Sequence, residues 1–223
     1  MTFRAWSALA LAAVAPVAMA QVYNESGDAG NLPGSAQIAE TLTGTLVING
    51  SIGFLGDVDM YRITIAGGGL FSAHVTTPPG TGVADDSMLF LFNSAGQGIA
   101  WNDDDPSRPG QFQAGLPVGN SFYSGLSAGH YYLAISSYDI MARINTGTST
   151  TLDNYVFPWN APRTEVIGPQ TSTPVAGWDE AIWQDGTNGT YQITITGMQP
   201  VPEPTTMAAL GLGVLALIRR RKR

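Results

Sequence analysis

Asn102-Asp103-Asp104-Asp105 places three carboxylates and an amide oxygen within four consecutive residues. Asp57 and Asp59 flank a single valine, and Asp85-Asp86 form a third acidic pair. Carboxylates are hard oxygen donors, and calcium takes six to eight such ligands, often from loops. Asp57, Asp59, Asn102, Asp103, Asp104 and Asp105 are therefore candidate calcium ligands, and calcium is the one cofactor these residues suggest. No stretch has the glycine after a D-x-D-x-D run that an EF-hand loop requires. The competing reading is that these are solvated turn aspartates, each bonding nearby backbone in an Asx-turn.

Other chemistry has less to stand on. Gly125-Leu126-Ser127-Ala128-Gly129 fits the spacing of a nucleophile elbow. An elbow needs a strand before its serine and a helix after it, and here the strand-like segment follows. His74 and His130 fall in or beside strand-like segments with no nucleophile placed near either, and the chain has no cysteine. No catalytic residue is assigned, and a non-enzymatic protein is expected. A hydrolase working through paired acids would need two carboxylates about 5–9.5 Å apart across a cleft. Trp101, Trp159, Trp178 and Trp183 are candidates for stacking on sugar rings. They support an alternative reading, a module that binds exopolysaccharide; core or loop-anchoring roles compete with it.

The elements that must position the acidic loops read as strands. Thr41 to Asn49 is β-branched and predicts a strand broken near Gly44. Asp57 to Ile65 alternates, with Tyr61, Ile63 and Ile65 on the face expected to be buried. Leu70 to Thr76, Met88 to Phe92, Gly98 to Trp101, Tyr131 to Ser137 and Tyr191 to Thr196 complete the set. Gln21 to Gly34 and Ser107 to Asn120 read as irregular, and Asp139 to Gly189 resists assignment. No window between the end segments has a helical period. Short strands separated by Gly, Pro and Asn turns predict an all-β antiparallel sandwich. Between Gln21 and Pro200 four arginines face sixteen carboxylates, a net charge of −12. Such a surface repels nucleic acid and suits divalent cations.

The two ends carry topogenic signals. Residues 1–20 comprise Arg4, an apolar stretch and Ala18-Met19-Ala20, the pattern of a signal peptide cut between Ala20 and Gln21. The Sec machinery and a signal peptidase are thus expected partners. A single domain over 21–200 follows. Then comes Val201-Pro202-Glu203-Pro204, an apolar run at about 205–218 expected to be a transmembrane helix, and the basic tail 219–223, with Arg219, Arg220 and Arg221 at its head. The prolines hold the tetrapeptide out of helical geometry, and the cations belong on the cytoplasmic side. A plain C-terminal anchor is the competing reading.

The order of PEP, apolar segment and arginines resembles the PEP-CTERM sorting signal. That resemblance implies an exosortase that processes the chain near the PEP triplet. It implies residence in the inner membrane during sorting, then delivery to the cell surface or the medium. Three further pieces are Asp57-Val58-Asp59-Met60-Tyr61, Asp86 to Asn93 with Gly96 and Asn102-Asp103-Asp104, and Ala128 to Leu133. Their order resembles the bacterial pre-peptidase C-terminal domain over about residues 42–138. It implies a jelly-roll-like accessory sandwich, some members of which bind calcium.

Overall fold

The structure is a computed structural model that describes residues 20–54, 56–76, 86–108, 112–147, 154–179 and 189–200. The signal peptide as far as residue 19, Asp85, Trp183, the apolar run at 205–218 and the basic tail lie outside the described residues. Among those described, no helix is long and apolar enough to cross a membrane.

Thirteen strands are described: β1 (Gln21–Asn24), β2 (Gln37–Ile38), β3 (Thr45–Ile52), β4 (Val58–Ile65), β5 (Ser72–Thr76), β6 (Ser87–Phe92), β7 (Gly98–Asn102), β8 (Gly115–Leu116), β9 (Gly129–Ser137), β10 (Ala142–Ile144), β11 (Asn154–Tyr155), β12 (Gly177–Trp178) and β13 (Gly189–Thr196). One 3-10 turn, Gly68–Leu70, precedes β5. The first sheet runs β1-β3-β13-β5-β8, the second β2-β4-β9-β6-β7, and a small third sheet β11-β10-β12.

The fold is all-β, as the patterning predicts, but its sheets are mixed. β1 pairs with β3 in parallel and β2 with β4 in parallel, so each large sheet carries one parallel edge. The purely antiparallel expectation is corrected there. Gln21–Asn24 joins a sheet although its composition reads as loop: an edge strand gains its ladder bonds from backbone alone.

Alternation explains the main core. Leu46 and Ile48 of β3, Val75 of β5 and Tyr191, Ile193 and Ile195 of β13 project toward the second sheet. There they meet Tyr61, Ile63 and Ile65 of β4, Leu89 and Leu91 of β6, and Leu133 and Ile135 of β9. The two sheets therefore pack face to face in the manner of a sandwich.

β6 is different, since all six of its residues are buried. Leu89 and Leu91 face the main core, whereas Met88, Phe90 and Phe92 face the opposite way into a second core. A strand apolar on both faces needs cover on both. The cover is the segment that resisted assignment. Ile140, Met141, Ala142, Ile144, Val156, Phe157, Val175 and Trp178 lie across the outer face of the second sheet. Phe90 is the hub: its ring stacks 6.0 Å from Trp101 and meets Trp178 edge-on at 5.0 Å and Phe157 at 5.8 Å. Trp178 also donates from Nε1 to the Asn31 carbonyl at 2.6 Å, tying this third layer to the N-terminal lead-in.

Candidate functional site

Antiparallel pairing brings the acidic loops to one end of the second sheet. Val58 opposite Ser136, Ser87 opposite Ser137 and Leu89 opposite Asn102 fix the register. The start of β4, the end of β9, the start of β6 and the end of β7 therefore lie side by side. Two groups of carboxylates form along this rim. In the first, one oxygen from each of Asp28, Asp57 and Asp59 lies within 4.8 Å of the others; in the second the same holds for Asp86, Asp103 and Asp104.

The first group is built from the lead-in and from β4. Asp28 is exposed, and its Oδ1 accepts the Gly30 amide at 2.7 Å in a local turn. Asp57 Oδ2 accepts the Gly53 amide at 2.6 Å. Asp59 is wholly buried, because it is the first residue of β4 on the face carrying Tyr61, Ile63 and Ile65. Its Oδ2 accepts the Tyr191 hydroxyl at 2.7 Å, and the Tyr191 and Tyr61 hydroxyl oxygens are 2.6 Å apart. No N–H donor among the described residues reaches its Oδ1, but the Asp59 and Glu25 carboxyls share a hydrogen bond. Glu25 completes the acidic surroundings: its oxygens accept the Ala29 and Ser51 amides. Gly50 permits that arrangement, since a Cβ there would lie 2.3 Å from the Tyr191 hydroxyl and 2.8 Å from Glu25 Oε2.

The electrostatics follow from burial among like charges. Burial pushes the Asp59 carboxyl well above the ordinary range, and Glu25 and Asp57 push it further; the Tyr191 hydrogen bond opposes them. Asp57 is raised as well, first by burial, against its backbone hydrogen bonds. The described ion pairs link Arg62 to Glu40, Arg108 to Asp105, Arg143 to Asp179, and Arg163 to Asp103 and Asp139. None of them reaches Glu25, Asp28, Asp57 or Asp59. A pocket of about 200 Å³ lies alongside, lined by Asp28, Asn31, Phe54, Asp57 and their neighbours.

The second group has a counter-ion. Arg163 Nε lies 3.7 Å from Asp103 Oδ2, and Nη2 lies 3.1 Å from Asp139 Oδ1. Asp103 is 1% exposed, and its Oδ1 also has no hydrogen-bond partner among the described residues. Burial and then Asp86 push its carboxyl up to about 8, against the pull of Arg163.

The remaining two candidate ligands have other tasks. Asn102 Nδ2 donates to the carbonyls of Asp104, Arg163 and Glu165, and its Oδ1 accepts the Gly115 amide at 2.9 Å. It staples the acidic loop to the third layer. Asp105 accepts from Arg108 Nε at 2.6 Å and Ser107 Oγ at 2.7 Å, and lies 2.7 Å from His74 Nδ1. Burial would raise its carboxyl, but the Ser107, Arg108 and His74 hydrogen bonds outweigh it and hold it at about 2. Asp28 and Glu25 escape the sequence reading because they sit in the lead-in, about thirty residues before β4. The available signal was two acids in a turn-rich stretch.

The other candidates are also placed. Trp101 and Trp178 are core residues, and Trp159 is 58% exposed. Ser127 lies in the loop before β9, where its carbonyl accepts the Tyr131 hydroxyl at 2.9 Å. His130 Nδ1 lies 2.9 Å from Thr64 Oγ1 in a cross-strand pair.

Comparison with known proteins speaks to one end of the chain. No curated protein matches it. Residues 200–223 match the PEP-CTERM protein-sorting motif, the mark of an exported protein sorted at the membrane by an exosortase.

Proposed function

We propose that this chain is a non-enzymatic cell-surface or extracellular-matrix protein, in which an acidic β-sandwich is the delivered cargo and the C-terminal segment is its address. The observation that carries the reading is the sorting motif at residues 200–223 directly following a folded domain. Export by a cleaved signal peptide, with Gln21 as the mature N-terminus, belongs to the same reading. So does a jelly-roll-like sandwich of pre-peptidase C-terminal type. Support for a structural role comes from the candidate groups themselves. Asp105 and Asn102 are committed to holding loops, and Ser127 sits on a turn rather than at a strand-to-helix elbow.

Processing should depend on Pro202-Glu203-Pro204, since two prolines hold an extended backbone that a protease binds as a strand. Glu203→Ala leaves the apolar run and the arginines intact. Membrane insertion should persist while cleavage stops. Mass spectrometry of the C-terminus from membrane and secreted fractions reads both outcomes. Maturation of the variant at the wild-type rate would leave the tail as a plain anchor and sink the proposal.

A further inference from the structure

We infer that the end of the sandwich from which the sorting segment leaves is a lipid-facing surface, seated on the membrane through Leu42, Leu70 and Val118. The inference rests on the reading of residues 200–223 as a membrane-directed address.

The described loops divide charge between the two ends of the domain. The rim at the start of β4 carries Asp57, Asp86, Asp103, Asp104 and Asp105. At the opposite end lie the connections β2–β3 (39–44), β4–β5 (66–71), β6–β7 (93–97) and β8–β9 (117–128), with the exit at 197–200. Glu40 is the only Asp, Glu, Lys or Arg in these five stretches, and Arg62 offsets it at 3.9 Å. Taking charge out of water is costly, so an end without uncompensated charge enters a headgroup layer at little penalty. The acidic rim, in a domain of net charge −12, is repelled by anionic lipid and faces away.

The apolar side chains are placed around the exit. In the first sheet, ordered β1-β3-β13-β5-β8, Leu42 precedes β3, Leu70 precedes β5 and Val118 follows β8. All three are exposed, Leu70 at 66% and Val118 at 61%, and they flank the end of β13 on both sides. The Leu70 carbonyl accepts Thr196 Oγ1, and the Gly44 carbonyl accepts the Met198 amide, so the exit is held between them. Gln21 lies at the same end, because β1 runs parallel to β3; the chain enters the domain where it leaves.

Lipid is the occupant because of the tether. Five residues, 200–204, separate Gln199 from the apolar run and reach at most about 18 Å. With that run in the bilayer, this end is confined to the headgroup layer. A short tether gives weak contacts an effective concentration in the millimolar range, so three apolar tips suffice.

The test uses the full chain in phosphatidylcholine vesicles. The chain has no cysteine, so single labels can be placed. A fluorophore at Val118→Cys should be quenched strongly by doxyl-labelled lipid. One at Phe54→Cys, an exposed apolar position at the rim, should not be. Adding Leu42→Ser and Leu70→Ser should lower the docked population about tenfold, with circular dichroism and alkali-resistant attachment unchanged. A wild-type chain that alkali strips from the vesicles would sink the address reading and this inference with it. An attached chain with equal quenching at positions 118 and 54, or with none, overturns this inference alone. So does a folded serine variant quenched like its parent, or pyrene excimer emission at position 118 without lipid quenching, which would make the occupant a second copy.

Discussion

Two acidic clusters share one end of one sheet, each with a buried aspartate, and they differ chiefly by an arginine. At Asp86–Asp103–Asp104, the Arg163 guanidinium arrives from the third layer and also reaches Asp139. At Asp28–Asp57–Asp59 none of the ion pairs among the described residues brings an arginine, and Asp59 instead shares hydrogen bonds with Glu25 and Tyr191. A carboxylate cluster can be offset by an internal cation or by one taken from solution. The first kind is self-sufficient, and the second makes stability depend on the medium. With a net charge of −12 over residues 21–200, each cation carries weight.

The sharpest way to break the comparison is to remove the arginine. Near pH 9, where the Asp103 carboxyl is ionised, Arg163→Met should cost about 3 kcal/mol, since it leaves that buried carboxylate uncompensated. The melting point should fall by roughly 6–12 °C. The same variant should give the second cluster a calcium response it lacks in the wild type. A thermal melt with calcium and with a chelator reads both, and an unchanged melt would show that Arg163 is not the counter-ion.

Asp105 supplies an acid limb. Its carboxyl is held near 2 in the folded protein, below its ordinary value of 3.8. The stability it contributes is present above about pH 4 and disappears as pH falls toward 2. The loss should be on the order of 2 kcal/mol, read from urea midpoints across that window. Asp105→Asn should flatten the limb.

Asp103 works with the opposite sign. Its folded carboxyl is raised to about 8, so ionisation is harder folded than unfolded. Its contribution is best at acid pH and fades as pH climbs from about 4 toward 8. Asp103→Asn should remove that fade, giving a variant no less stable than the wild type at pH 8. A variant that is less stable there would mean that the ionised carboxylate is stabilising.

The smallest stability effect belongs to Asp28. In chelator, Asp28→Asn should lie within about 0.5 kcal/mol of the wild type, as an exposed substitution that preserves its turn bond.

Much of the sandwich was legible, and the reasons are local. β4, β9 and β13 alternate with period two, and Met88 to Phe92 is short, apolar and flanked by turns. The third layer was not legible. Its strands are two or three residues long, and its apolar residues, from Ile140 to Trp178, are matched to partners on β6 and β7 rather than to one another. The parallel edges were hidden because Gln21–Asn24 pairs through backbone that any sequence possesses. In the first acidic group, the proximity of Asp57 and Asp59 was visible from their spacing. Asp28 was not, because convergence of the lead-in on β4 is a tertiary event. Asp105 shows the reverse: a run of aspartates looks uniform in sequence, yet its third member turns toward His74 and Arg108.

β13 occupies the centre of the first sheet, laddered to β3 over eight residue pairs and to β5 over five. The Met198 and Gln199 amides still bond the carbonyls of Gly44 and Thr64. The sorting motif begins at residue 200, so almost no slack separates cargo from address. Two mechanical consequences follow. While the tail is held in the membrane, tension enters along a central strand and loads two ladders in shear, so the domain resists being pulled open. And because β13 follows every other described strand in the chain, the first sheet cannot close until the residues just before the sorting motif are in place, which ties completion of the fold to the arrival of that motif.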